Sequence, residues 1–237
     1  MKIPRPFALP HLVRNFDSDP RVISKKLIES AKRIPPFNYL KVDAIVQDFM
    51  KGNFSLTQLR SGLVNSAPEK WQHIFSELAD PLHQAFSNVR PKFIVPVQRQ
   101  ALAIPGGVTV PFNPGFVYAN EGEEKLIIPH RLYWRTAAFR ESQLTLFFSL
   151  AKELLVEDDN VADAELQLLT MSANTSGRRV LRIHKDRDFS LLGSKKLNDA
   201  LETYRTGYEL ACEEAHRLPE KHPEPKQEKT NNLDLFN

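Results

Sequence analysis

Three groups of residues in this 237-residue chain have types and spacings that can do chemistry. The first is basic: Arg178, Arg179, Arg182, His184, Lys185 and Arg187 fall within ten residues, and Lys195 and Lys196 follow. Read as a strand, this run puts Arg178, Arg182 and His184 on one face and Arg179, Leu181, Ile183 and Lys185 on the other. A basic hairpin can track a phosphate backbone without reading sequence, so Arg178, Arg179, Arg182, Lys185, Lys195 and Lys196 are the candidate nucleic-acid contacts. The competing account is a sheet edge guarded by charge, with Asp186 and Asp188 diluting the patch. The second group is acidic. Asp158, Asp159, Asp163 and Glu165 crowd together; such carboxylates can hold a cation, but a solvated loop leading into a strand also accounts for them. The third group is apolar and terminal, Asn232-Leu233-Asp234-Leu235-Phe236, and it follows a stretch poor in anything that can be buried.

Much other chemistry is excluded by spacing. The seven histidines show no metal-ligand pattern, and neither a paired-cysteine motif nor His-Glu-x-x-His occurs. Gly193-Ser194-Lys195-Lys196 lacks the upstream glycine of a phosphate loop, and no nucleophile elbow surrounds any serine. The expectation is therefore no metal and no cofactor. The net charge of +3 gives no global basic field, so any nucleic-acid surface must be local. A single cysteine, Cys212, cannot form an internal disulfide, which points to a reducing compartment. Prolines 4, 6 and 10 break any signal-peptide core, and no apolar run approaches the ~18 residues of a membrane span. The expectation is a cytoplasmic protein with no membrane association.

The elements that must position these groups are legible from periodicity and punctuation. Residues 1–19 carry three prolines and read as an extended arm, with Phe7, Leu9, Leu12, Val13 and Phe16 suited to packing on the domain. Helical spacing covers 20–33, 41–50, a stretch capped by Ser55 through Val64, and a run over 68–86, so residues 20–90 form a helical part. After Pro91 come short β-rich runs at 93–97, 101–104, 108–112, 115–118 and 125–128, the last continuing through Trp134. An apolar helix over 141–156, strands over 164–171 and 178–184, and a final helix over 194–217 complete residues 91–218. The reading is one α/β domain of mixed type over 1–218, with a central small mixed sheet flanked by helices. A flexible tail over 219–237 follows, made of Pro, Lys, Glu, Gln and Asn until its apolar end.

Two resemblances attach to these residues. Asn232-Leu233-Asp234-Leu235-Phe236 resembles the pentapeptide, Gln-Leu-Ser/Asp-Leu-Phe, with which bacterial polymerases, repair proteins and some plasmid initiators bind the replicative sliding clamp; the departure is Asn232 in place of Gln. Gln143-Leu144-Thr145-Leu146-Phe147 also comes close to the pattern, but lies inside the apolar helix, where its leucines read as core. The order of elements from Val108 onward resembles the restriction-endonuclease-like fold, the PD-(D/E)XK superfamily and its RecB-like branch. Active members hold Mg²⁺ with two carboxylates beside a lysine. Here Asn113-Pro114-Gly115 stands where Pro-Asp would be, and Ile128-Pro129-His130-Arg131 supplies no acid on the third strand. Glu123-Glu124-Lys125 spells Glu-x-Lys, but at a turn.

Together these imply a non-catalytic accessory protein of DNA replication or repair, from a bacterium, phage or plasmid. Its tail would recruit it to the sliding clamp and its domain would contact DNA or a partner. The alternatives are a divergent Mg²⁺-dependent nuclease using Asn113, Glu123 and Lys125, and a protein-interaction module unrelated to DNA.

Overall fold

The computed structural model describes residues 3–32, 39–52, 54–135 and 138–217. The tail and its terminal peptide lie outside the described residues. The arm is not wholly extended: it contains helix α1 (Leu9–Asn15). Pro10 falls in the first turn, where a missing N–H has no intrahelical partner to lose, so a proline that reads as extended chain permits a helix. Leu9, Leu12 and Val13 are buried, so the arm is docked as its apolar residues indicated.

The helical part comprises α2 (Pro20–Ala31), α3 (Leu40–Met50), α4 (Leu56–Ser66), α5 (Gln72–Ser76) and α6 (Ala79–Phe86). Asp19 caps α2 by accepting from the Arg21 N–H at 2.9 Å. Ser55 and Gln58 cap α4 reciprocally. The run over 68–86 breaks into a 3₁₀ turn at Glu69–Trp71, then α5 and α6. Pro81 has no N–H to bond back to the carbonyl of Glu77, so it sits in the first turn of a new helix.

Among the described residues seven strands follow: β1 (Pro91–Pro96), β2 (Gln100–Ile104), β3 (Val108–Phe112), β4 (Phe116–Asn120), β5 (Leu126–Leu132), β6 (Glu165–Ala173) and β7 (Arg179–Lys185). Tyr133 and Trp134 lie beyond the end of β5 rather than in it. The main sheet has the order β1-β4-β5-β6-β7, while β2 and β3 pair separately. All neighbours in the main sheet are antiparallel except β5 and β6, which run parallel and are joined by helix α7 (Glu141–Leu155). A last helix, α8, spans Ser194–Arg217. The molecule is a mixed α/β fold, as the pattern predicts.

Both faces of the sheet are covered, which is why β5 and β6 are almost uniformly buried, polar residues included. On one side lie α1, α2, α7, α8 and the β2–β3 hairpin, with Phe112, Phe147, Phe148 and Tyr204 at the centre. On the other lie α3–α6, with Phe75, Phe86, Phe116 and Tyr118. Strand alternation sorts the residues: Leu166 and Leu168 of β6 enter the first core, Leu169 and Met171 the second.

Candidate functional site

At the C-terminal end of β5 the sheet opens into a cavity of about 260 Å³, bounded by α1, by Tyr39 and Asp43 at the start of α3, and by the β3–β4 connection. Alternation along β5 sends Arg131 and then Tyr133 towards the α3–α6 side and His130 to the opposite face. The Arg131 side chain is only 2% exposed. Its Nε donates to Asp43 Oδ1 at 3.1 Å, its Nη2 makes an ion pair with that oxygen at 3.1 Å, and the Tyr133 hydroxyl donates to it at 2.9 Å. The guanidinium lies over the Phe116 ring, 4.2 Å from its centroid. Gly115 makes room for it: a Cβ there would stand 2.7 Å from Arg131 Nη2, and its φ of +96° is one that side-chain-bearing residues avoid. Nη1 of Arg131 is buried without a hydrogen-bond partner. Burial pushes the Tyr133 hydroxyl well above its ordinary pKa, so it stays a donor to Asp43.

His130 is stacked on Phe147, with centroids 5.6 Å apart, and is tilted against Phe112 at 5.2 Å. Burial, reinforced by the neighbouring Arg131 charge, lowers its pKa to about 4, despite hydrogen bonds to the backbone of Pro114 and Asn113. It is therefore a neutral imidazole, and its buried Nε2 has no partner. Rings line the mouth: His11 packs on Trp134 at 4.5 Å, Tyr39 on Tyr133 at 4.9 Å, and the Arg14 guanidinium sits 4.8 Å from the Trp134 ring centroid. Lost hydration first, and then Arg14, lower the pKa of His11. The result is a buried cation held by one shared carboxylate beside aromatic rings. Nothing in the local pattern pairs Arg131 with Asp43, which stand 88 positions apart.

The basic hairpin is only partly a surface. Arg179 has a side chain 1% exposed and bonds Glu77, the Tyr133 carbonyl and the Met171 carbonyl, so it is no candidate for nucleic acid. Alternation explains this: odd-numbered positions of β7 face the helical layer, where Leu181 also packs. Arg182 is exposed and donates to Ser172 Oγ at 2.9 Å. Lys185 is half-buried at the far end of the strand. Arg178, Lys195 and Lys196 are exposed, and both lysines stand in the first turn of α8.

Asn113, Glu123 and Lys125 do not form one site. Asn113 borders the cavity, whereas Glu123 and Lys125 lie at the β4–β5 turn, the whole length of β4 away, roughly 15 Å at strand rise. Lys125 is instead bound to Glu165, a buried carboxylate that also accepts from Gln167 at 2.6 Å and pairs with Arg187 at 3.3 Å. Burial alone would raise the Glu165 pKa, but the bonds from Lys125 and Gln167 hold it below its ordinary value. In the neighbouring acidic loop, Asp158 accepts from the Asn160 N–H, closing the turn. Among the described residues no three His, Cys, Asp or Glu side chains are placed to hold a metal ion together.

No protein-family model and no curated protein matches this chain. A solved structure described as "Crystal structure of SSO0001" is similar over 85% of this chain and 96% of its own, at 10% identity and a TM-score of 0.30, a likeness too low to carry an inference.

Of the two segments that resemble the clamp-binding pattern, the internal one is core. Leu144, Leu146 and Phe147 are buried in α7, and Gln143 is spent on its N-terminus, accepting from the Arg140 N–H and donating to the Arg14 carbonyl. The terminal copy lies outside the described residues. No helix among the described residues is long and apolar enough to cross a membrane.

Proposed function

We infer that this chain is a non-catalytic accessory protein of DNA replication or repair, held at a bacterial sliding clamp by its C-terminal peptide. The observation that carries the reading is the peptide Asn232-Leu233-Asp234-Leu235-Phe236 itself, placed after a stretch that has almost nothing to bury. Leu233, Leu235 and Phe236 are the anchors, Asp234 occupies the variable position, and Asn232 takes the place of the usual Gln. Between Arg217, the end of α8, and Asn232 there are 14 residues, enough to span up to roughly 48 Å. A tether of that length keeps the folded part at high effective concentration around any DNA threaded through the clamp. Arg178, Arg182, Lys195 and Lys196 are the basic residues available to that DNA. The two lysines oppose the dipole at the start of α8, so helix stability does not account for them. Such a role needs no cofactor. The cytoplasm is the compartment in which it operates.

The test is fluorescence anisotropy of a labelled peptide spanning Lys229 to Asn237, titrated with a bacterial sliding clamp. Binding with a Kd on the order of micromolar, weakened at least about tenfold by Leu235→Ala/Phe236→Ala, is the expected result. Equal binding by the substituted peptide, or none by either, overturns the reading.

A further inference from the structure

We propose that the outer edge of β7 is a docking site for an extended acidic peptide of a partner protein, which adds to the main sheet as a further strand and alternates acidic with apolar residues. The inference goes beyond the recruitment reading: it stands on β7 and needs neither the tail nor the clamp.

The main sheet ends in β1 on one side and β7 on the other. β1 is blunted: it begins and ends with proline, and its register slips between Pro91 and Phe93. β7 has no proline and pairs with β6 in unbroken register from Arg179 to Lys185. Just before the strand, the Asn174 N–H donates to the Arg178 carbonyl at 2.8 Å, while the Ala173 N–H turns the other way, to the Arg135 carbonyl. In the alternation of an antiparallel ladder, even-numbered residues of β7 therefore bond to β6. The backbone N–H and C=O groups of Arg179, Leu181, Ile183 and Lys185 point outward, where no further strand among the described residues pairs with them. Such a row is a template for an added strand.

The two faces beside the row define the pattern of that strand. Exposed Arg182 and half-buried His184 stand on one face; half-buried Leu181 and exposed Ile183 stand on the other, with Lys185 after them. Acidic residues belong beside Arg182, and apolar ones beside Leu181 and Ile183. Charge selects the partner. Among the described residues no ion pair engages Arg178, Arg182 or Lys185, whereas Asp186 is paired with Lys152 at 3.4 Å and Glu77 with Arg179 at 3.2 Å. Asp188 lies past the end of the strand. A second copy of β7 brings the same cations together, so pairing with itself is opposed and an acidic strand is favoured.

The probe is a fluorescein-labelled Glu-Val-Glu-Val-Glu-Val-Glu peptide, titrated with the full chain and followed by anisotropy. It is expected to bind with a Kd at or below about 100 μM. Glu-Glu-Glu-Glu-Val-Val-Val, of the same composition without the alternation, is expected to bind at least about tenfold more weakly. Ile183→Pro removes an outward N–H and no ladder bond, so the variant should stay folded and lose about tenfold or more in affinity for the alternating peptide. Arg182→Glu, at an exposed position, should weaken binding to a similar extent, about tenfold. If Ile183→Pro does not fold, the probe itself carries the test. Only one set of its N–H groups can face β7, so of two probes, one N-methylated on the valines and one on the glutamates, one should bind and the other not. Arg182 is also available to DNA, and a labelled single-stranded oligonucleotide is the parallel arm. An oligonucleotide that binds where the peptide does not assigns the surface to nucleic acid and overturns the proposal. Equal binding of the two peptide sequences, equal binding of the two N-methylated probes, or affinity unmoved by Arg182→Glu or by a folded Ile183→Pro variant overturns it as well.

Discussion

Arg131 and Arg179 show how two charges, on the strands either side of β6, come to serve the interior. Arg179 joins β7 to Glu77 and to two carbonyls, so Arg179→Ala strands those acceptors and is expected to cost about 2–4 kcal/mol in urea unfolding. Arg178→Ala, at an exposed turn position, should stay within about 0.5 kcal/mol. Equal effects of the two would mean that Arg179 is not the buried tie described here. His130 makes stability depend on pH. The folded protein keeps it neutral down to about pH 4, whereas the unfolded chain takes up a proton near 6.5. Its contribution is therefore fully present above about pH 6.5 and is lost as pH falls towards 4, by up to roughly 3 kcal/mol. His130→Phe, which keeps a ring against Phe112 and Phe147, should flatten that part of the stability–pH curve; an unchanged slope would rule His130 out as its source.

Among the elements, α8 depends on a glycine in its middle. Helix propensity favours Ala over Gly by up to ~1 kcal/mol, so Gly207→Ala would stabilise an exposed helix. Here a Cβ at Gly207 would lie 2.8 Å from Ile23 Cβ and Cγ2 and 2.8 Å from the Pro20 carbonyl oxygen, where α2 crosses α8. Backbone cannot yield as a flexible side chain does, so Gly207→Ala is expected to lower stability by about 1–3 kcal/mol in denaturant titration. A gain in stability would mean that the two helices can separate at small cost. The same closeness fixes the arm. Tyr204 accepts from the Phe7 N–H and Tyr208 donates to the Pro4 carbonyl, so the face of α8 that meets α2 also anchors the segment leading into α1. The arm in turn supplies His11 to the cavity.

At the scale of the whole molecule, the proposed recruitment is expected to be separable from folding. Deleting residues 232–237 from the full chain should abolish clamp binding while leaving the thermal midpoint within about 1 °C, because the peptide would then contribute nothing to the core. A midpoint several degrees lower would point instead to a tail docked on its own domain, the arrangement of an interaction module. The sheet also separates two chemistries. Its β4–β5 turn carries the compensated ion cluster around Glu165, and the other end of the same strands carries the cavity beside the Arg131–Asp43 pair.

Sequence by itself determined what depends on near neighbours. Helical spacing and capping placed α2, α3, α4, α7 and α8 to within a residue or two, because the apolar stripes, the Ser55 cap and the ends of these helices are local. It also placed the buried Gln143–Phe147 segment in the core, since an apolar helix between polar flanks has nowhere else to go. Tertiary structure alone decided which charges are spent. The run of arginines in the hairpin looked alike, and only the helical layer beneath β7 turned Arg179 into an internal tie while leaving Arg178 exposed. The cavity was decided in the same way. Asp43, Asn113 and Arg131 come from three distant segments, and no spacing rule connects residues that meet only when α3 packs over the end of β5.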